Sequence, residues 1–258
     1  MRIPEKRRID IRNLIQQEKT VSVEKIAKLF NISPITVRRD LEKLQDRGLI
    51  SKVHGGAIVR DSLAPEPVFK ERINLYRDEK NRIAAEAAKR INDGDSIIIE
   101  SGSTCQGLVK NLINKNKLKI ATAGISVAGE LLNLLNIKND FEVSVCGGIL
   151  RAGSSIYVGP HAVSFFNSIN VDKSFIGAVA ISVAKGLSTA TQFDAELSKA
   201  IINSGREVIL LADSSKFETQ SYINFMPLTQ IDEIITDKAL DIKIVEKIKK
   251  SGVKLTLV

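Results

Sequence analysis

The 258-residue chain predicts two parts of different architecture, an N-terminal winged helix-turn-helix joined to a larger α/β domain. Three observations carry this expectation. Residues 1–60 hold 14 Lys and Arg against 7 Asp and Glu, a balance of +7, so the rest of the chain holds only +1 of the net +8. Helix-start signals occur twice in quick succession inside this basic segment. Beyond residue 78, apolar runs alternate with amphipathic stretches, the pattern of a mostly parallel sheet covered by helices. The organisation expected is a DNA-binding-type domain over 1–60, a linker over 61–77 and an α/β domain over 78–258.

Composition narrows the classes. With 43% hydrophobic and 26% charged residues the chain is neither disordered nor fibrous. Its longest apolar run, FIGAVAI at 175–181, is far shorter than the roughly 18 residues of a membrane span. The charged N-terminus carries no apolar h-region, so a cytoplasmic protein is expected. Cys105 and Cys146 lack CxxC spacing and a nearby His in sequence, which suggests neither a disulfide framework nor a metal site, and no cofactor is expected.

In the basic segment, Ile11, Leu14 and Ile15 share one face of a first helix running from Pro4 to Lys19. Ser22 suits an N-cap, Val21 and Ile26 a hydrophobic staple, and Val23, Ile26, Ala27 and Phe30 line a short second helix ending near Asn31. The signals then repeat: Ile32 as staple, Ser33 as cap, Pro34 at the first helical position, and Val37, Leu41 and Leu44 on one face, with Gly48 as the stop. Two helices separated by about three residues are the mark of a helix-turn-helix. LISKVHGGAIV then reads as two strands around His54, Gly55 and Gly56, a wing.

Chemistry follows from helical phase. Ile35 and Arg39 point away from the apolar face, with Thr36 and Arg38 on its flanks. Arg can pair bidentately with guanine or clamp phosphate, Thr can bond bases or backbone, and an apolar group can meet a thymine methyl. The candidate DNA-binding set is Ser33, Ile35, Thr36, Arg38, Arg39 and Lys43 on the helix, and Lys52, His54 and Gly55 on the wing. Base reading is assigned first to Arg39 and backbone positioning to Arg38.

Across 20–57, TVSVEKIAKLFNISPITVRRDLEKLQDRGLISKVHGGA resembles the DNA-binding domain of DeoR-type bacterial transcription regulators. That signature pairs an S..T(I/V)RRDL..L...G(L/I) recognition helix with an R/K.HGGA wing. The resemblance implies a recognition helix in the major groove of operator DNA, with Thr36, Arg38 and Arg39 at the DNA.

In the second part, SIIIE, LKIATA, FEVSVCGG, SFIGAVAI, EVILLAD, IDEIITD and VKLTLV read as strands, with helices near 80–91, 106–113, 125–135, 194–203 and 241–250. Ligands of such sheets bind beyond the carboxyl ends of the strands. There Ser101, Gly102, Ser103 and Thr104 offer hydroxyls, a close backbone approach and a helix start, a combination suited to phosphate. Other strand ends contribute Thr122, Gly147, Gly148, Gly177 and Asp213, while Lys216 could neutralise an anion.

DGDSIIIESGSTCQGLVKNL, SVCGGILRAGSSIYVGP, FIGAVAISVAKGLSTATQFDAELSKAI and ILLADSSKF resemble the C-terminal sensor domain of the same family. That domain belongs to a superfamily shared with ribose-phosphate isomerases and CoA transferases. The resemblance implies that residues 101–104 hold the phosphoryl group of a sugar phosphate and that Asp194, Glu196 and Lys216 face the sugar. The family usually has Asp at 100 and Thr at 103 and 105, and often Asn at 123. This chain has Glu100, Ser103, Cys105 and Ala123, which bears on effector identity more than on the phosphate loop.

The expected function is transcriptional regulation, as a repressor of a carbohydrate operon released by a phosphorylated sugar or related metabolite. Half-sites on DNA are read by symmetric oligomers, so a dimer or tetramer is expected. A competing reading is a sugar-phosphate isomerase-like enzyme with Asp194 or Glu196 as base and Lys216 stabilising an enediolate. The chain lacks the Gly-rich run beside a Lys that the isomerases carry, so no residue is assigned a catalytic role.

Overall fold

The computed structural model describes residues 3–46, 50–53, 55–59, 69–137 and 140–258. The chain divides into two compact units, Met1–Ala64 and Pro65–Val258. His54, Gly48 and connector residues 61–68 lie outside the described residues.

The first unit runs α1 (Ile3–Glu18), β1 (Thr20–Ser22), α2 (Val23–Phe30), α3 (Pro34–Asp46), β2 (Ile50–Val53) and β3 (Gly56–Val59). Ser22 Oγ accepts from Lys25 N–H at 3.2 Å and starts α2, and Asn31, at φ 51°, ends it. Ser33 Oγ accepts from Thr36 N–H at 3.2 Å and starts α3. Ile11, Ile15, Val21, Ile26, Val37, Leu41 and Leu44 bury one apolar stripe per element in a shared core. The strands form an antiparallel sheet in the order β1-β3-β2. β1 is an addition to the expected two-stranded wing: three residues are too few to show alternation, and pairing with β3 creates the strand.

The second unit begins with α4 (Phe69–Asn74) and α5 (Arg77–Ala88). Residues 69–77 were expected to be linker, and the structure corrects this. Phe69 is buried and its N–H donates to Gly153 O at 2.9 Å, so a six-residue helix too short to show periodicity is anchored by tertiary contact.

Next come β4 (Ser96–Ile99), α6 (Ser103–Val109), β5 (Lys119–Thr122), α7 (Ile125–Leu135), β6 (Glu142–Val145), β7 (Ile149–Arg151), β8 (Ile156–Val158), α8 (Pro160–Asn167) and β9 (Val171–Ile176). They are followed by β10 (Ala180–Ser182), β11 (Gly186–Thr189), α9 (Gln192–Ser204), β12 (Gly205–Leu211), β13 (Ile223–Met226), β14 (Glu233–Thr236), α10 (Ile242–Lys250) and β15 (Lys254–Leu257).

Seven strands form one parallel sheet in the order β15-β14-β12-β9-β4-β5-β6. Its faces bury separate cores. Ile98 packs with α8, α9 and α10 residues such as Phe166, Ile201 and Ile248, whereas Ile97 and Ile99 pack with α5, α6 and α7 residues such as Ile83, Leu108 and Leu131. Both faces being apolar, the strands read as continuous apolar runs.

SFIGAVAI was expected to be one strand, but the chain leaves the sheet after Ile176 and re-enters as β10 in a small antiparallel sheet, β10-β11-β13. A second hairpin pairs β7 with β8. An apolar run keeps its character when it passes from one sheet to another, so hydropathy does not mark the break.

The chain builds the sheet outward from β4 in both directions, towards β6 on one side and β15 on the other. The order therefore reverses between β4 and β9, and a crevice opens there beyond the carboxyl ends of the strands.

Candidate functional site

On α3, the exposed face carries Ile35, 62% exposed, together with Arg38, Arg39 and Lys43. Neither Arg38 nor Arg39 hydrogen-bonds or pairs with another described residue. Thr36 is half-buried with Oγ1 2.9 Å from Ser33 Oγ, so both hydroxyls are already engaged in the cap. Lys52 pairs with Glu42 at 3.2 Å, and its N–H donates to Gln45 Oε1 at 2.9 Å, tying the wing strand to α3. Such an exposed ion pair is weak enough to exchange for a phosphate. Gly55 takes φ 80°, and its carbonyl accepts from Val23 N–H, so its backbone role in the wing explains the glycine.

Sequence reading passed over Asp40. This residue is 3% exposed overall and its carboxylate faces α1, where Arg7 Nε donates to it at 2.7 Å and Arg8 lies 3.6 Å away. It occupies the same helical face as Val37, Leu41 and Leu44. An acid on an apolar stripe, with a basic pair on the first helix, was the available signal.

In the second unit a cavity of about 350 Å3 occupies the β4/β9 switch point. Residues 100–104 form one wall and 177–179 another. The β7-β8 hairpin supplies Arg151 and Ser154, β11 supplies Ser188 and Thr189, and α9 supplies Asp194 and Ser198. Lys216 and Arg72 complete a basic rim. Of the residues expected here, Ser101, Gly102, Ser103, Thr104, Asp194 and Lys216 line this cavity, although they come from three separate chain segments.

Arg151 pairs with Asp194 and donates to Thr191 Oγ1 at 2.9 Å, and Thr191 caps α9. Arg151 and Arg72 escaped sequence reading because one lies on a short hairpin and the other in the supposed linker. Glu100 is buried with one oxygen accepting from Gly177 N–H at 2.7 Å and the other from Ser198 Oγ at 3.0 Å. Burial pushes its carboxyl up to about 7 against those two donors. On α5 Lys80, 6% exposed, donates to Arg72 O, and burial pushes its ammonium down to about 8.

Five expected residues do not line the cavity, each for a physical reason. Thr122 is fully buried, donating to Ile99 O at 2.7 Å and accepting from Gly124 N–H at 3.0 Å, so it staples β5 to β4. Gly147 and Gly148 turn the chain after β6 at φ 65° and 116°. A Cβ on Gly148 would lie 2.7 Å from Val158 O, so packing against β8 demands that glycine. Glu196 is exposed and accepts from Gln192 Nε2; two residues beyond Asp194, it points to another side of α9. Asp213, 1% exposed, accepts from Ser215 N–H at 3.1 Å and caps the turn that carries Lys216.

No group of three His, Cys, Asp or Glu suited to a metal occurs among the described residues, and none of their helices is long and apolar enough to cross a membrane.

A basic winged helix-turn-helix followed by an α/β unit with a cavity of charged and hydroxyl side chains at its switch point defines a DNA-binding regulator. Residues 7–63 match the DeoR-like helix-turn-helix domain, and residues 76–238 match the DeoR C terminal sensor domain. The HTH-type transcriptional regulator GlpR of Haloferax volcanii is 32% identical over 251 residues, covering 97% of this chain and 96% of that protein. The glycerol-3-phosphate regulon repressor of Escherichia coli is 30% identical over 244 residues, 95% of each chain. Among solved structures, a ribose 5-phosphate isomerase A of Methanocaldococcus jannaschii aligns over 55% of each chain, with a TM-score of 0.39 and 17% identity. The chain belongs to the DeoR family of transcriptional regulators. It is a helix-turn-helix regulator of transcription rather than an isomerase-like enzyme.

Proposed function

We propose that this protein is a repressor that leaves its operator when a phosphorylated sugar or related small metabolite fills the second unit's cavity, and that it binds DNA as a dimer or tetramer. One observation carries the effector reading: Arg72, Arg151 and Lys216 ring the hydroxyl-bearing loop 101–104 in a cavity whose volume suits one small metabolite. Arg151 already pairs with Asp194, and Lys216 adds a further positive charge for a dianionic phosphate. Loop 101–104 adds hydroxyl donors and the start of α6. Glu100, Asp194 and Ser198 supply acceptors and donors for sugar hydroxyls. The exposed Arg38 and Arg39 supply the DNA contacts, with Arg39 reading bases and Arg38 positioning the backbone. The effector releases DNA only if it binds the DNA-free arrangement more tightly than the DNA-bound one.

The test is release of a fluorescent operator fragment by a panel of sugar and polyol phosphates. Ser103→Glu places a carboxylate where the phosphoryl group would sit, so it is expected to keep operator affinity and lose release. Normal release by that variant would refute the phosphate loop.

A further inference from the structure

We propose that Glu100 is a specificity-determining residue of this cavity that meets the bound anion as a neutral carboxylic acid, so that effector and proton bind together. The proposal rests on the reading that an anionic metabolite occupies the cavity. β4 ends at Ile99, and Glu100 follows at the switch point, only 8% exposed yet part of the cavity wall. Each carboxyl oxygen has one donor, Gly177 N–H or Ser198 Oγ.

The groups facing this carboxyl come from every element packed around it. Asp194 and Ser198 stand on α9, Cys105 on α6, Gly177 beyond β9 and Arg72 on α4. Of these, Asp194 disfavours a second negative charge, the Cys105 thiol is held neutral by burial, and Arg72 exerts only the weakest of the influences on Glu100. Arg151 is engaged with Asp194, and Lys216 stands on the cavity rim, on the turn that Asp213 caps. Glu100 thus makes no ion pair with a described residue, and without ligand its carboxyl is already half-protonated near neutral pH, pushed up to about 7 by burial.

A dianion entering the same cavity adds a like charge to a desolvated carboxylate, and protonation of Glu100 is the response that costs least. The neutral acid also has an O–H that the carboxylate lacks, and can donate it to a ligand oxygen. By reciprocity, a ligand that raises the pKa of Glu100 binds more tightly below that pKa, with up to about tenfold change in affinity per pH unit between the free and bound values.

Sulfate provides the test, because it remains a dianion throughout the range and contributes no proton of its own. Full-length protein carrying 13C-labelled glutamate is titrated by NMR from about pH 5.5 to 8.5, in chloride and in sulfate at equal ionic strength. The expected result is movement of the 101–104 amides with sulfate and a Glu100 midpoint about one pH unit higher than in chloride. In Glu100→Gln the sulfate affinity is expected to lose its pH dependence below about pH 7, where Lys80 stays charged in both proteins. If the amides move while the Glu100 midpoint stays, proton coupling is overturned and the anion site stands. If sulfate leaves the amides unmoved, the anion site itself fails and this proposal falls with it.

Discussion

Asp40 offers the sharpest quantitative test of how the DNA-binding surface is held. It joins α3, whose far side presents Arg38 and Arg39, to α1 through Arg7 at 2.7 Å and Arg8 at 3.6 Å. The Asp40 side chain is 5% exposed, and those of Arg7 and Arg8 are 21% and 9% exposed. Removing one member of a buried pair costs roughly 3–5 kcal/mol, because the partner charge stays desolvated. Arg7 can turn partly into water, which places Asp40→Ala at the low end, about 3 kcal/mol. That is a large share of the stability of so small a unit.

Hydrogen exchange of the α3 amides, read by mass spectrometry on the full chain, reports the opening free energy directly. A loss of about 3 kcal/mol lowers protection by about two powers of ten. The double variant Arg7→Ala/Asp40→Ala is expected to lose less than the sum of the single losses, since it leaves one stranded charge fewer. Protection within about threefold of wild type in Asp40→Ala, a difference under roughly 1 kcal/mol, would refute the clamp.

Other predictions address the recognition helix, the cavity and the buried lysine. Arg39→Ala is expected to cost about 1–3 kcal/mol at the operator and to relax base preference, whereas Arg38→Ala weakens all DNA alike and lowers the salt slope by about one; competition binding against unrelated DNA separates them, and equal losses would make Arg39 a phosphate clamp. Gly124→Ala places a Cβ 2.8 Å from Ser101 Cα, displacing the 101–104 loop; effector response should fall while operator affinity stays, as anisotropy titration can check. Lys80 has a folded pKa of about 8 against an ordinary 10.5. Between those values the unfolded chain binds more protons, so stability rises with pH by at most about 3 kcal/mol. Urea midpoints near the two ends of that window should show the rise in wild type and not in Lys80→Met, and a flat wild-type profile would contradict the buried ammonium.

The helix-turn-helix was legible because its determinants are local. Ser22 and Ser33 accept from N–H groups only three residues on, Asn31 ends one helix by its own left-handed turn, and Val37, Leu41 and Leu44 declare a face by spacing alone. Parallel strands such as SIII and EVILL were legible for a related reason, since burial on both faces makes them apolar throughout. Loop 101–104 could be singled out from hydroxyls and glycine at a strand end.

Tertiary structure alone decided the strand order, and with it the β4/β9 switch point that makes a cavity of loops distant in sequence. It placed Arg72 and Arg151 on that cavity's rim, turned Thr122, Gly148 and Asp213 into scaffold, and set Glu196 apart from Asp194. The division follows from range. Caps, turns and amphipathic faces are settled by neighbours within a few residues, whereas burial, charge pairing and the shift of a carboxyl such as Glu100 depend on groups up to about a hundred positions away, as its bond to Ser198 shows.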